Sequence, residues 1–140
     1  MEGKRGTKSL VLTMDFADNR FAIVAMKEKR EPISKHAEMM SRDILATGRK
    51  RPEPGYVHYD IVSSDNRILY RGVFPDPTYS RVEFQPETGS LRSAYVTHEK
   101  ARCQVTVPYY PAAVNLRLRR VNPEGEMEDL GVMAMKVRRG

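Results

Sequence analysis

The chain has 140 residues, enough for one domain with its own core, and its single cysteine, Cys103, excludes an internal disulfide. Its formal charge is +6, yet acidic residues lie between most of the basic clusters, which favours a mixed-charge surface. The N-terminus lacks the apolar core of a signal peptide, and no apolar run approaches the roughly 20 residues that span a bilayer. We therefore expect one soluble domain over residues 1–140 with a flexible N-terminus at 1–8, in a compartment that the sequence leaves open.

The first predicted element is a β-hairpin. Apolar residues alternate from Leu10 to Phe16, the period-2 pattern of a half-buried strand. Asp18 and Asn19 tolerate turn conformations, and residues 21–26 predict the returning strand.

Residues 32–54 predict a different kind of structure. Apolar residues recur at helical spacing over about 35–47, with Ser34 as a cap and Gly48 as the end, which indicates a short helix. The apolar stripe is thin, so an irregular crossover is the alternative. The prolines and basic residues of 49–54 indicate a loop.

From Gly55 onward the chain predicts short strands separated by turns. The strands are expected at 56–62, 68–74, 79–84, 91–97, 101–107, 114–118 and 130–137. Short extended segments at this close spacing, with turn signals between them, favour a mainly all-β fold, an antiparallel immunoglobulin-like sandwich of about seven to eight strands. A parallel α/β sheet is disfavoured because regular helices do not separate the strands.

The residues that carry chemistry are dispersed. His36, His58 and His98 share no metal-ligand spacing, and His58 alternates with the apolar positions of its strand, so we expect it to be exposed. Cys103 lies in an alternating apolar run and is interpreted as a small buried residue. The chain also lacks a phosphate-binding loop and a nucleophile elbow. We therefore expect a protein that is not an enzyme and holds no metal or cofactor.

The candidate binding residues are two tyrosines and four arginines. Tyr109 and Tyr110 lie between prolines, ahead of a basic strand, and aromatic rings beside arginines can stack on sugars, bases or a protein partner. The basic residues concerned are Arg71, Arg117, Arg119 and Arg120. The alternative is that one tyrosine packs under the corner of the sandwich and the other lies on the surface.

Residues 55–137 resemble the second half of the N-terminal β-sandwich domain of bacterial IgA-peptidase-type zinc metallopeptidases. The likeness is carried by Gly55-Tyr56, the run Leu69 to Phe74, the run Val105 to Pro111 and the run Val114 to Leu118. It implies an immunoglobulin-like accessory module of a larger bacterial protein. The zinc-binding helix of those proteases is missing from this sequence, so no peptidase activity carries over.

Three functions are compatible with these features. The favoured one is a non-catalytic module that binds another protein or packs on a neighbouring domain, with no preference about oligomeric state. The alternative is a basic nucleic-acid or polyanion binder, which predicts that the four arginines form one patch. The third is an enzyme whose site is assembled from scattered residues, which requires a pocket with convergent acids or histidines.

Overall fold

The computed structural model describes residues 8–47, 55–84, 89, 92–122 and 124–135, without the side chains of 44–47, 80–84 and 92–95. Within these residues it contains one helix and nine strands. They are β1 (Ser9–Ala17), β2 (Arg20–Lys29), α1 (Lys35–Thr47), β3 (Tyr56–Ser63), β4 (Ile68–Pro75), β5 (Tyr79–Phe84), β6 (Arg92–Thr97), β7 (Ala101–Pro108), β8 (Ala113–Val121) and β9 (Met127–Ala134). The flexible segment predicted at 1–8 falls almost wholly outside the described residues, as do Gly48 and the loop predicted at 49–54.

The strands form two larger sheets and a hairpin. One sheet has the order β2-β1-β7, the other has the order β4-β3-β8-β9, and β5 pairs with β6. Every ladder is antiparallel. The prediction of a mainly β, antiparallel, sandwich-like fold is confirmed, with nine described strands where about seven to eight were expected.

The core lies between the two larger sheets. The apolar positions of β1 and β7 face those of β3, β4 and β8, and Leu12, Ile61 and Leu118 are almost completely buried there. Each of these central strands therefore has one face in a shared apolar layer, the arrangement that stabilises a β-sandwich. On one side of the molecule β2 approaches β9, so that side is closed by strands.

The first hairpin has a two-residue turn. Asp18 and Asn19 have φ angles of 51° and 66°. Two consecutive residues with positive φ are typical of a type I′ turn, whose twist matches that of the flanking strands, and Asp and Asn tolerate this conformation better than most residues. The predicted turn is confirmed.

Residues 35–47 form the short helix, not the irregular crossover. Ser34 caps α1: its Oγ accepts a hydrogen bond from the Ala37 N–H at 3.1 Å. The helix packs along the outer edge of β4, where the Val73 N–H donates to Ser41 Oγ at 3.1 Å. α1 has 13 residues, and no helix within the described ranges is long and apolar enough to cross a membrane.

The expected exposure of His58 is wrong, because the side chain is buried with 6% of its surface accessible. β3 lies between β4 and β8, and both of its faces are covered. Periodicity in the sequence shows which face of a strand is apolar, but it does not show that long side chains from neighbouring strands cover the other face.

Candidate functional site

An open cleft of about 690 Å³ lies between β7 on one side and α1 and β4 on the other. It occupies the side of the sandwich opposite to the approach of β2 and β9, where β7 and β4 are each the last strand of a sheet. The residues 31–35 that lead into α1 complete its wall. The cleft is therefore a seam that strands do not close.

The floor of the cleft is aromatic. Tyr59 and Phe74 contribute rings whose centroids are 6.1 Å apart, and Tyr70 lies 6.0 Å from Tyr59. Burial raises the pKa of Tyr59 and of Tyr70, so both phenols are neutral at physiological pH. The floor offers apolar rings with neutral hydroxyl groups, a lining suited to binding rather than to proton transfer.

The wall formed by β7 presents free backbone groups. The Tyr109 N–H donates to the Lys8 carbonyl at 3.2 Å, which fixes the alternation of the β1–β7 ladder. Since hydrogen-bonded and non-hydrogen-bonded pairs alternate along antiparallel strands, Thr106, Gln104 and Arg102 direct their N–H and C=O groups away from β1. Within the described residues, no backbone group accepts from or donates to this outer edge.

The rim of the cleft is weakly basic. Lys29 and Lys35 line it together with one carboxylate, that of Glu31, and all three residues are exposed. The rim therefore carries a net positive charge, in keeping with the charge of +6 on the whole chain.

A second surface, which we call the arginine face, lies on the outer side of the four-stranded sheet. Its residues are Arg71 on β4 with Arg117 and Arg119 on β8, and they surround Asp60 on β3. Asp60 Oδ1 is 3.5 Å from Arg71 Nε, and its Oδ2 accepts a hydrogen bond of 3.3 Å from Arg119 Nη2. The Asp60 side chain is only 3% exposed, because the arginine side chains lie over its carboxylate.

His58 lies beside this cluster, directly opposite Arg119 in the β3–β8 ladder. Burial and the Arg119 charge lower the pKa of His58, and the nearby Asp60 carboxylate only partly opposes them. The imidazole is therefore neutral at pH 7 and adds no charge to the arginine face.

The fourth predicted arginine, Arg120, lies on the inner face of the four-stranded sheet, opposite to the face that carries the other three. Its guanidinium carbon is 4.9 Å from the centre of the Phe16 ring, and its Nε is 3.6 Å from Asp76 Oδ2. The Arg120 side chain is 10% exposed and that of Asp76 is fully buried. Arg120 therefore forms a buried ion pair inside the sandwich and does not extend the arginine face.

The two predicted tyrosines are half-buried and are separated from the arginine face by the sheet. Tyr110 packs against Tyr70 with ring centroids 6.5 Å apart, and Tyr70 belongs to the core side of β4, whereas Arg71 points to the outer side. The Tyr109 ring has Lys8 Nζ at 5.8 Å. The structure thus brings three of the four arginines together, without the tyrosines.

Two parts of these surfaces were not found by sequence reasoning. The aromatic floor was interpreted only as strand core, and the role of Asp60 was missed. A signal for Asp60 did exist, because an aspartate in mid-strand is unfavourable unless neighbouring strands provide partners. The free edge of β7 had no signal, because strand order is not visible in local sequence.

No protein-family model, curated protein or solved structure matches this chain. The fold and the two surfaces therefore carry the functional argument.

Proposed function

We propose that this domain is a non-catalytic module that binds a partner protein or a neighbouring domain through the cleft between β7 and α1. The observation that carries the proposal is the open seam itself, where an aromatic floor lies beside a strand edge with free backbone groups. Concave, mostly apolar sites with a few well-placed polar groups are typical of binding sites.

The chemistry of the cleft supports binding over catalysis. Its floor consists of rings and aliphatic side chains, and the polar groups at its walls are amides, hydroxyls and backbone, with charged side chains only at the exposed rim. These groups form hydrogen bonds but are weak acids and bases near neutral pH. Recognition at such a surface relies on shape, apolar contact and hydrogen bonds.

The test begins with a photoreactive benzophenone residue placed at Gln104 and, separately, at Val24. Gln104 lines the cleft, whereas Val24 is 50% exposed on β2. We expect a discrete adduct in the protein's own cells from position 104 and none from position 24. Equal adducts from both positions would argue against a role for the cleft.

The partner identified in this way is then titrated calorimetrically with the purified domain. Ala37→Arg fills the cleft from α1, and Val24→Arg adds the same charge elsewhere. We expect Ala37→Arg to weaken binding about tenfold or more, the scale of 1–2 kcal/mol for a disturbed interface contact, and Val24→Arg to leave it unchanged. Unchanged affinity in Ala37→Arg contradicts the proposal.

The resemblance of residues 55–137 to the accessory domain of IgA-peptidase-type metallopeptidases extends this proposal. It suggests that the module is immunoglobulin-like and is attached to a larger bacterial protein, with a neighbouring domain as the partner. The sequence of the complete parent protein, searched for a metallopeptidase zinc-binding helix, tests this extension directly.

A second candidate function is the binding of a nucleic acid or another polyanion by the arginine face. It is favoured by three arginines on the outer side of one sheet, which outnumber the two carboxylates beside them, Asp60 and Asp129, and leave about one net positive charge there. Arg117 makes no ion pair with the described residues, so its charge is available to a ligand.

Retention on heparin and on single-stranded DNA over a salt series tests this second candidate. We expect Arg117→Gln to reduce the slope of log affinity against log salt by about 1, as the loss of one phosphate contact does. Arg42→Gln removes an equal charge from the exposed face of α1 and serves as the matched control. Failure to bind at low salt, or equal effects of the two variants, rules it out.

A further inference from the structure

The outer edge of β7 differs from the other outer edges of the two larger sheets. Exposed strand edges pair readily with other chains, so natural proteins protect them with bulges, prolines, lysines or covering segments. The β1–β7 ladder runs from Ser9↔Pro108 to Phe16↔Ala101 without a register shift. Between Ala101 and Val107 the strand contains no proline and no lysine. Apart from Pro108 at its end, β7 is thus a straight edge with none of these protections.

The other three edges are protected. β4 is covered by α1, whose Ser41 Oγ accepts the hydrogen bond of the outward Val73 N–H. β2 exposes Lys27 and Lys29 and pairs with β1 through a bulge. β9 contains a register shift and a left-handed glycine, Gly131, with φ of 96°. Protection everywhere but at β7 indicates that this edge is kept free for pairing.

We propose that an extended segment of a partner protein adds to the outer edge of β7 as a further strand, with alternate side chains in the cleft. This inference rests on the proposed function and specifies its binding mode. The N–H and C=O groups of Arg102, Gln104 and Thr106 form the backbone hydrogen bonds, and every second side chain of the segment faces the aromatic floor. Main-chain bonds then supply affinity and the cleft supplies specificity.

The occupant is a single strand because the cleft is bounded on both sides, which limits the width of what can enter it. The cleft lies between the β7 edge on one side and Met40 of α1 with Ile33 on the other, and its volume is about 690 Å³. A whole sheet edge from a second copy of this chain would have to enter the same space with its neighbouring strands. A segment one strand wide occupies it without displacing α1.

The charge of the rim specifies the segment further. Lys29 and Lys35 outnumber Glu31 at the cleft, so the segment should carry acidic residues beside its apolar positions. Electrostatic complementarity of this kind selects among partners and fixes their register. The expected motif is therefore extended, apolar at alternate positions and acidic overall.

The test uses peptides of about twelve residues selected from a random library against the complete domain. Each selected peptide is resynthesised with a methyl group on one backbone nitrogen at a time, and its affinity is measured by fluorescence anisotropy. Strand addition predicts a period of two: methylation at alternate positions weakens binding about tenfold, as the loss of one or two backbone hydrogen bonds does, and the intervening positions are unaffected. A flat or irregular profile overturns the proposal.

Variants of the domain provide a second readout. Gln104→Pro removes an N–H that the β1–β7 ladder does not use and should reduce peptide affinity about tenfold, whereas Gln104→Ala keeps the N–H and should change it less than twofold. Lys35→Glu should also weaken binding, and Lys27→Glu, whose position lies outside the cleft, should not. Equal affinities of Gln104→Pro and Gln104→Ala contradict strand addition. If Gln104→Pro does not fold, the methylation profile on the unmodified domain decides.

The remaining outcomes separate this inference from the proposed function. A partner that binds through the cleft but yields no period-two profile leaves the proposed function standing and removes strand addition. A library that yields no binding peptide overturns the inference, even where cross-linking at Gln104 succeeds. Dimers of the domain that dissociate in Gln104→Pro would show that a second copy, not a partner segment, occupies the edge.

Discussion

At the scale of single residues, the cleft floor depends on a close fit between Tyr59 and Gly72. The two residues are directly opposite in the β3–β4 ladder, and the Tyr59 ring lies over the glycine. A Cβ at position 72 would overlap the ring of Tyr59, which is 4% exposed and lies between Tyr70 and Phe74. The absence of a side chain at Gly72 therefore sets the position of the aromatic floor.

We expect Gly72→Ala to lower the free energy of unfolding by about 1–3 kcal/mol, the usual cost of overpacking a core. Urea denaturation followed by circular dichroism measures this change. Gly89→Ala is the matched control, because a Cβ at Gly89 would meet open space. Similar stabilities of the two variants would show that Tyr59 moves aside at little cost.

Cys103 is another residue whose chemistry depends on its surroundings. It is half-buried and packs against the core, close to its predicted role as a small apolar residue. Burial, with the nearby Asp76 and Asp15 charges, raises the pKa of the Cys103 thiol to about 11. The thiolate is the reactive species, so the folded protein keeps this cysteine unreactive.

We expect iodoacetamide at about pH 8 to alkylate Cys103 about a hundredfold more slowly in the folded domain than in urea, because the two states differ by about two units in thiol pKa. Mass spectrometry over time gives both rates. Comparable rates would mean that the thiol is more open to solvent than its position indicates.

At the scale of elements, the start of the β5–β6 hairpin is connected to β8 by a buried ion pair. Asp76 follows β4, and its Oδ1 accepts hydrogen bonds from the Thr78 N–H at 2.9 Å and from the Thr78 hydroxyl at 2.6 Å. Its other oxygen faces Arg120 Nε at 3.6 Å. Asp76 therefore fixes the turn into β5 and also neutralises Arg120, which enters the sandwich.

We expect Asp76→Ala to destabilise the fold by about 3–5 kcal/mol, because it leaves a buried guanidinium without its counter-charge. Adding Arg120→Met removes that charge, and the double variant should be more stable than Asp76→Ala alone. Thermal and urea unfolding of the two variants provide the comparison. A double variant less stable than the single one would show that Arg120 contributes through its contact with Phe16 more than through its charge.

At the scale of the whole molecule, the stability of the domain depends on pH through His58. Its pKa is lower in the folded state than in the unfolded state because burial and Arg119 disfavour the imidazolium. The unfolded chain then binds more protons below about pH 6.5, the ordinary histidine value, so the free energy of unfolding falls as the pH drops through that value. Asp60, the carboxylate beside His58, opposes the shift without cancelling it.

We expect the urea midpoint to be level above about pH 6.5 and to decline between about pH 6.5 and 5, before ordinary carboxylates titrate. His58→Asn should remove this decline, whatever its effect on the midpoint at pH 7. His36→Asn, at an exposed position on α1, should retain it. A decline that persists unchanged in His58→Asn would assign the pH dependence to another group.

Much of the fold was predictable because its signals are local. Alternation from Leu10 to Phe16 indicated β1, and the Asp18-Asn19 pair indicated the turn that follows it. For α1 the sequence left a helix and a crossover open, and contact with the edge of β4 decided for the helix. The candidate surfaces were less predictable, because each one combines residues that are distant in the chain.

The sequence by itself determined the class of this protein: a mainly β, antiparallel fold whose described strands, turns and helix lie near the predicted positions. Periodicity and turn chemistry act over a few residues, which is why they can be read from the chain. Only the tertiary structure decided that Arg120 enters the sandwich while Arg71, Arg117 and Arg119 lie around Asp60. It also decided that His58 is buried and that β7 keeps a free edge beside the cleft. Those features follow from strand order and from the packing of one sheet on another, which bring together residues that no local pattern connects.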